Sequence, residues 1–190
     1  RSAALPFVPK DVALRSVEIS NGAVAVYDSH AKLMARAEAI NGEFSADSIK
    51  GPFNFKGSAT WSGAEREIHF GTTAPAADGT FRFRANVHNL VSQASYLLDL
   101  GVTSLATNPL FTGTLSGTQP LTEATPGGKD EAAPLVEVKA PIEATTSGAK
   151  IEELSLSIIG AAEPQLISGS AAMIWGADAQ SDISLKSKWL

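Results

Sequence analysis

The sequence predicts a mainly β protein, its antiparallel strands forming one curved or groove-like sheet, with a closed β-sandwich as the alternative. Three observations carry this expectation. Apolar and polar residues alternate with a period of two along most of the chain, turn-forming pairs punctuate the alternating runs, and only one segment has helical spacing.

Taken in order, Val17 and Ile19 lead into Asn21-Gly22, after which Val24 and Val26 follow. Two residues that tolerate positive φ between β-branched runs are a hairpin signal, so a turn is expected there. From Ala31 to Ile40, Leu33, Ala35, Ala37 and Ala39 alternate, although alanine also favours helix. A second Asn-Gly pair, Asn41-Gly42, predicts strand–turn–strand, and Phe44, Ala46 and Ile49 then lead to the breaker Gly51-Pro52.

The next strands are the clearest. Phe53, Phe55, Gly57, Ala59 and Trp61 share one face, Ser62-Gly63 forms a turn, and Ile68 and Phe70 continue the apolar set. After Asp78-Gly79, Phe81, Phe83, Ala85 and Val87 alternate with Arg82, Arg84, Asn86 and His88. A helix would spread these phenylalanines around its cylinder. One segment differs: Val91, Ala94, Leu97 and Leu98 recur at three and four, with Ser92 as an N-cap and Gly101 as the C′ residue, which predicts a short helix near 91–101. Phe111, Gly113 and Leu115 resume a strand.

Residues 119–134 read as a flexible connector, with three prolines, Gly127-Gly128 and the charged run Lys129-Asp130-Glu131. Strands then return through Val136, Val138, Ala140 and Ile142; Leu154, Leu156 and Ile158; Ile167, Gly169, Ala171, Met173 and Trp175; and Ile183, Leu185 and Trp189. The expected organisation is thus a β-rich segment 1–118 containing the short helix, the connector 119–134, and strands over 135–190 packed on or extending the same sheet. A faint internal echo links Phe55–Ala59 and Trp61 with Ile167–Ala171 and Trp175.

About a dozen strands of about seven residues would give one face an area on the order of 1,300 Å². Soluble monomers rarely leave more than a few hundred Å² of contiguous apolar surface in water. Either the sheet folds onto itself, or it curls into a trough whose lining meets lipid or more protein. The residues expected to line it are Phe53, Phe55, Trp61, Phe70, Phe81, Phe83, Met173 and Trp175. An ordinary core would use the same residues. A lining for acyl chains leaves no motif, because each buried methylene contributes about 0.8 kcal/mol without any specific polar partner.

Composition narrows the function classes. Charged residues are 18% of the chain, the net charge is −5, and Lys and Arg are scattered singly, so nucleic acid is not an expected partner. With no cysteine there are no disulfides, thiolate metal sites or Cys nucleophile. No apolar stretch of about 18 residues is present. The missing initiator Met and signal peptide read as marks of a fragment, which places any membrane anchor outside it.

Neither catalytic residues nor cofactor or metal sites are expected. No G-x-S-x-G, H-E-x-x-H, Walker A or G-x-G-x-x-G pattern occurs. His30, His69 and His88 are far apart in sequence, and Asp28 with His30 reads as a polar turn. Glu152 and Glu153, adjacent on a strand, are expected to point to opposite faces. A non-enzymatic chain follows.

Several elements carry a family likeness. Asp11–Gly22 is similar to the "v-x-L-x-x-v-x-I-x-n-G" element of AsmA-family repeats, followed by the turn at Tyr27-Asp28. Ile40–Phe44 with Ile49–Phe53 resembles the family's "i-n-G-x-l … l-x-G-P-f" element, and Ile151–Ile158 with Gly169-Ser170-Ala171 resembles its late "l-x-x-L-x-l … x-G-x-a" element. The resemblance covers about two thirds of the chain and omits the connector. It implies a periplasmic segment of a protein tethered to the inner membrane by an N-terminal helix. It further implies a part in outer-membrane biogenesis among other envelope proteins, with phospholipid carried along an apolar β-groove and no catalytic residues. The competing reading is a secreted β-sandwich module that binds glycan or protein.

Overall fold

The computed structural model describes residues 13–27, 33–48, 50–103, 108–121, 134–160, 165–175 and 179–189. They form eleven strands: β1 (Leu14–Tyr27), β2 (Leu33–Ala46), β3 (Phe53–Trp61), β4 (Ala64–Thr72), β5 (Phe81–Asn89), β6 (Ser95–Thr103), β7 (Leu110–Pro120), β8 (Leu135–Ala144), β9 (Gly148–Ile159), β10 (Gln165–Ile174) and β11 (Gln180–Trp189). Each strand pairs antiparallel with the next, giving one meander in chain order. Among the described residues no strand touches any but its sequence neighbours, and there is no helix. The described strands therefore form one open sheet, with β1 and β11 at its two ends, and no second layer of described residues closes it into a sandwich.

One face is apolar across the sheet. A row of directly paired residues runs from Val17 through Phe44, Phe55, Phe70, Ala85, Leu98 and Leu115 to Ala140. Beside it, Ile19, Gly42, Gly57, Ile68, Val87, Tyr96, Gly117, Val138, Leu156 and Ile167 form a second row. The opposite face carries Glu43, Lys56, His69 and Asn86 in register.

The turns at Ser62-Gly63 and Asp78-Gly79 form as expected, with φ of 51° and 75° in the first and 81° at Gly79 in the second. Asp78 Oδ1 accepts from both the amide and the hydroxyl of Thr80, at 2.9 and 2.7 Å.

The two Asn-Gly pairs are not turns. β1 and β2 run straight through them, and their tolerance of unusual backbone serves β-bulges instead. The residues facing the apolar side are Val17 and Ile19 before Asn21-Gly22, but Val24 and Val26 after it. Their parity changes, and one extra residue absorbs the change, with Asn21 at φ 51°. On β2, the bulge near Ala39 (φ 47°) shifts the apolar set from Leu33, Ala35 and Ala37 to Gly42, Phe44 and Ala46. Asn41 braces both bulges: its Oδ1 accepts from the Asn21 amide and its Nδ2 donates to the Ala39 carbonyl, each at 2.8 Å.

The helix expected near 91–101 is also corrected: the segment is a tight connection followed by strand β6. Asn89 Oδ1 accepts from the amides of Val91 and Ser92 at 2.9 and 3.1 Å, and the Asn89 amide donates to Ala94 O at 2.8 Å. The cap-like signature is therefore an Asx turn between strands. The strand period is carried by Tyr96, Leu98, Leu100 and Val102; Leu97 belongs to the other face, opposite Asn86 and Ser116.

Residues 119–121 and 134, assigned to the connector, form the base of the β7–β8 hairpin, with Gln119 and Pro120 paired to Val136 and Leu135 and the Leu121 amide donating to Pro134 O at 2.9 Å. The rest of the expected connector, 122–133, lies outside the described residues. Strands β8 to β11 extend the same sheet.

Candidate functional site: an uncovered apolar face

Without a second layer, large side chains hide by lying along the sheet. A Cβ added at Gly57 would meet Gly42 Cα at 2.7 Å and Phe55 Cζ at 2.8 Å, and one at Gly42 would meet Phe55 Cζ at 3.0 Å. The Phe55 ring therefore lies over the Gly42–Gly57 pair, which explains how Phe55 is only 7% exposed. Tyr96 lies over Gly117 in the same way, its hydroxyl donating to Gln119 Oε1 at 2.8 Å, and Leu185 lies over Gly169. Both glycines of the internal echo, Gly57 and Gly169, are thus sockets for a large neighbour.

Of the expected lining residues, the phenylalanines converge most closely. Phe55 and Phe70 stack with centroids 5.4 Å apart, Phe70 and Phe83 are 6.0 Å apart, and Phe53 stacks on Phe44 at 6.1 Å. Phe81 continues the face opposite Val102. Trp61 sits at one end beneath the Arg66 guanidinium, 4.2 Å from its ring centroid, while Arg66 Nη1 also donates to Ala64 O at 2.9 Å. Met173 is far away on β10, and Trp175, just past that strand, donates its indole N–H to Thr146 O at 2.7 Å. The structure thus gathers the phenylalanines into one ladder and leaves Met173 and Trp175 on a remote part of the sheet.

Exposure rises toward the edges. Phe55 and Val102 in the middle are 7% and 2% exposed, whereas Val24 and Val26 on β1 reach 58% and 54%, and Ile183 and Leu185 on β11 reach 66% and 55%. Central residues have neighbours on both sides, while edge residues have them on one. Sequence reasoning missed Phe44, Tyr96, Leu98 and Leu100 as members of this face. The parity of Phe44 with Gly42 was a usable signal, and the helical reading of 91–101 concealed the others.

Three described hollows lie on the polar face. One of about 1,020 Å³ is bordered by Lys56, His69, Arg82, Arg84 and Asp99. Of the expected lining residues, Phe55 and Phe70 also border the first hollow, whereas Trp61, Phe53, Phe81, Phe83, Met173 and Trp175 border none of the three. Asp99 accepts from Arg84 Nη2 at 2.7 Å and from Arg82 Nη2 at 2.8 Å, which holds its carboxyl below the usual carboxylate range.

Glu152 and Glu153 correct another expectation. The strand neighbours place Ile151 opposite Ala171 and Leu154 opposite Gly169, so two residues instead of one separate these apolar positions. The pair forms a bulge, and both glutamates border the same two polar-face hollows. Lys150 lies 3.2 Å from both Glu143 and Glu152, and these carboxylates raise its pKa.

His69 and His88 belong to the polar face, opposite Lys56 and Glu67, while Asp28 and His30 lie outside the described residues. Among the described residues no three His, Cys, Asp or Glu side chains gather as metal ligands, and no helix is long and apolar enough to cross a membrane. The described sheet carries a hydrocarbon face on one side and a charged and polar face on the other. No family model matches the chain, and neither does any curated protein or solved structure in the comparison.

Proposed function

We propose that this chain is a non-enzymatic, periplasmic segment of a longer AsmA-like protein tethered to the inner membrane, and that its apolar face takes the acyl chains of phospholipid during outer-membrane biogenesis. The observation supporting this reading is that no described strand or helix covers this face. Ten gaps of about 4.8 Å and strands of about ten residues at about 3.3 Å give it an area on the order of 1,600 Å². Its outer strands are the most exposed part, with Val24, Val26, Ile183 and Leu185 each more than half exposed, and exposed apolar patches of this kind mark interaction sites.

Magnitudes shape the proposal. A closed pocket would contribute about 0.8 kcal/mol per methylene, and an open face that covers half of each group about 0.4. A chain of about sixteen methylenes would then gain about 6 kcal/mol over water, roughly half of what a bilayer offers. Such a face holds acyl chains without trapping them, which suits passage better than storage. Its phenylalanine ladder offers no polar group that would select a headgroup.

Native mass spectrometry of the purified chain after incubation with phospholipid tests the proposal. The expected result is lipid adducts that disappear on mixing with excess vesicles. Absence of adducts at all lipid concentrations would overturn the reading, and sugar binding without lipid would replace it with a glycan-binding module.

A further inference from the structure

The three described hollows differ in charge. One sets Lys139 and Lys186 against Glu152 and Glu153, and another sets Lys150 against Glu143, Glu152 and Glu153. They are neutral and acidic, in keeping with a chain of net charge −5. The hollow of about 1,020 Å³ is the exception: Lys56, Arg82 and Arg84 outnumber Glu43 and Asp99, and His69 stands beside them.

Both of its carboxylates are already engaged. Asp99, its side chain 14% exposed, accepts from Arg84 Nε and Nη2 at 3.2 and 2.7 Å and from Arg82 Nη2 at 2.8 Å. Glu43 accepts from Ser16 Oγ at 2.7 Å. The guanidiniums of Arg82 and Arg84 share one face of β5, and Asp99 holds them there while each side chain stays about two-thirds exposed. Arginines fixed in this way lose less rotamer freedom when they meet an anion. Their Nη1 atoms have no hydrogen-bond partner among the described residues, and neither do the side chains of Lys56 and His69, which oppose one another on β3 and β4.

The register brings these groups around one space. Arg84 is paired with Gly71, two residues along β4 from His69, which separates the Arg84 and His69 Cα atoms by about 8 Å. Lys56 is one strand farther out, about 12 Å from Arg84. Long cationic side chains on these positions can reach a small anion between them.

We propose that this hollow binds a phosphate group, whose oxygens accept from the Nη1 atoms of Arg82 and Arg84 and from Lys56 Nζ, with His69 as a further donor. A phosphate monoester carries nearly two negative charges and three acceptor oxygens, which suits three cations better than the single charge of a carboxylate. A soluble phosphate ester and a phosphatidic acid headgroup present the same chemistry. The proposal does not depend on what the apolar face carries.

Calorimetric titration of the whole chain provides the test, with glucose 6-phosphate, dihexanoyl phosphatidic acid below its micellar concentration, glucose and acetate as probes. The expected result is a dissociation constant on the order of 1 mM for glucose 6-phosphate, weakened by added salt, with glucose silent and acetate weaker. K56Q and R82Q should each weaken binding about fivefold, as exposed charges do. K56Q removes no bond within the described chain, so its effect is separate from folding. K139Q, in a neighbouring hollow, should bind as the parent does. Equal affinity for the two phosphates assigns recognition to the phosphate alone, and tighter binding of the phosphatidic acid assigns the natural ligand to a lipid headgroup at the same site. No binding of either phosphate at about 10 mM, acetate bound as tightly as phosphate, or equal losses in K56Q and K139Q would overturn the proposal.

Discussion

Alanine at Gly57 and alanine at Gly101 should change stability in opposite directions, although both glycines lie within strands. In the unfolded chain the substitution is the same, and by limiting backbone freedom it would stabilise the protein by about 0.4–1 kcal/mol where the native site accepts a Cβ. At Gly101 the nearest atom to an added Cβ is Thr112 O at 3.6 Å, so the gain is kept. At Gly57 the Cβ would collide with the backbone carbonyl of Asn41, with Gly42 Cα at 2.7 Å and with Phe55 Cζ at 2.8 Å. Two of these neighbours are backbone atoms that cannot rotate away, so β2 must move from β3 and the Phe55 ring must lift. Overpacking of this kind costs about 1–3 kcal/mol, and the rigid backbone places the expectation at about 3. With a urea slope of about 2 kcal/mol/M, G57A should lower the midpoint by about 1.5 M and G101A should raise it by about 0.3 M. Tryptophan emission is a suitable probe, because Trp61 lies on β3 itself. A G57A protein as stable as its parent would refute the aromatic-over-glycine account of how this unlayered sheet buries Phe55.

Further expectations follow from the same structure. N41A should cost about 1 kcal/mol by unbracing two bulges, and N41D should cost less because it still accepts from the Asn21 amide; urea titration distinguishes them. Asp99 is held below its ordinary pKa by Arg84 and Arg82, so its contribution is complete above the unfolded-state value near 3.8 and is lost as pH falls through the lower folded value; D99N should flatten that part of an acid titration. R66M should cost about 1–2 kcal/mol and shift tryptophan emission to the red by uncovering Trp61. Since each strand touches only its neighbours, amide exchange should be slowest in β4 to β7 and fastest at β1 and β11, rather than uniform.

The fold class was legible because alternation at Phe53–Trp61 and Phe81–Val87 admits only a strand. The Asn-Gly pairs were misread because positive φ is shared by turns and bulges. What distinguishes them is the parity of the flanking residues, and the switch from Val17 and Ile19 to Val24 and Val26 recorded a bulge. The helical reading failed at Leu97, whose apolar side chain sits on the polar face and falsifies the period. Bulges also explain Glu152-Glu153, where the strand rule of opposite faces holds only for an unbroken ladder. The phenylalanine ladder could be read residue by residue, but its openness could not. Whether a sheet closes depends on long-range packing, and the alternating residues are the same in both outcomes.

The central claim, that acyl chains reach one face of this sheet and not the other, is tested most directly by photocrosslinking from adjacent positions. Ile68 and Glu67 are neighbours on β4 and occupy opposite faces. With p-benzoylphenylalanine at position 68, illumination in the presence of phosphatidylcholine should attach lipid to the protein. With the same group at position 67, it should attach little or none. Equal labelling from both positions, or labelling from 67 alone, would contradict the account.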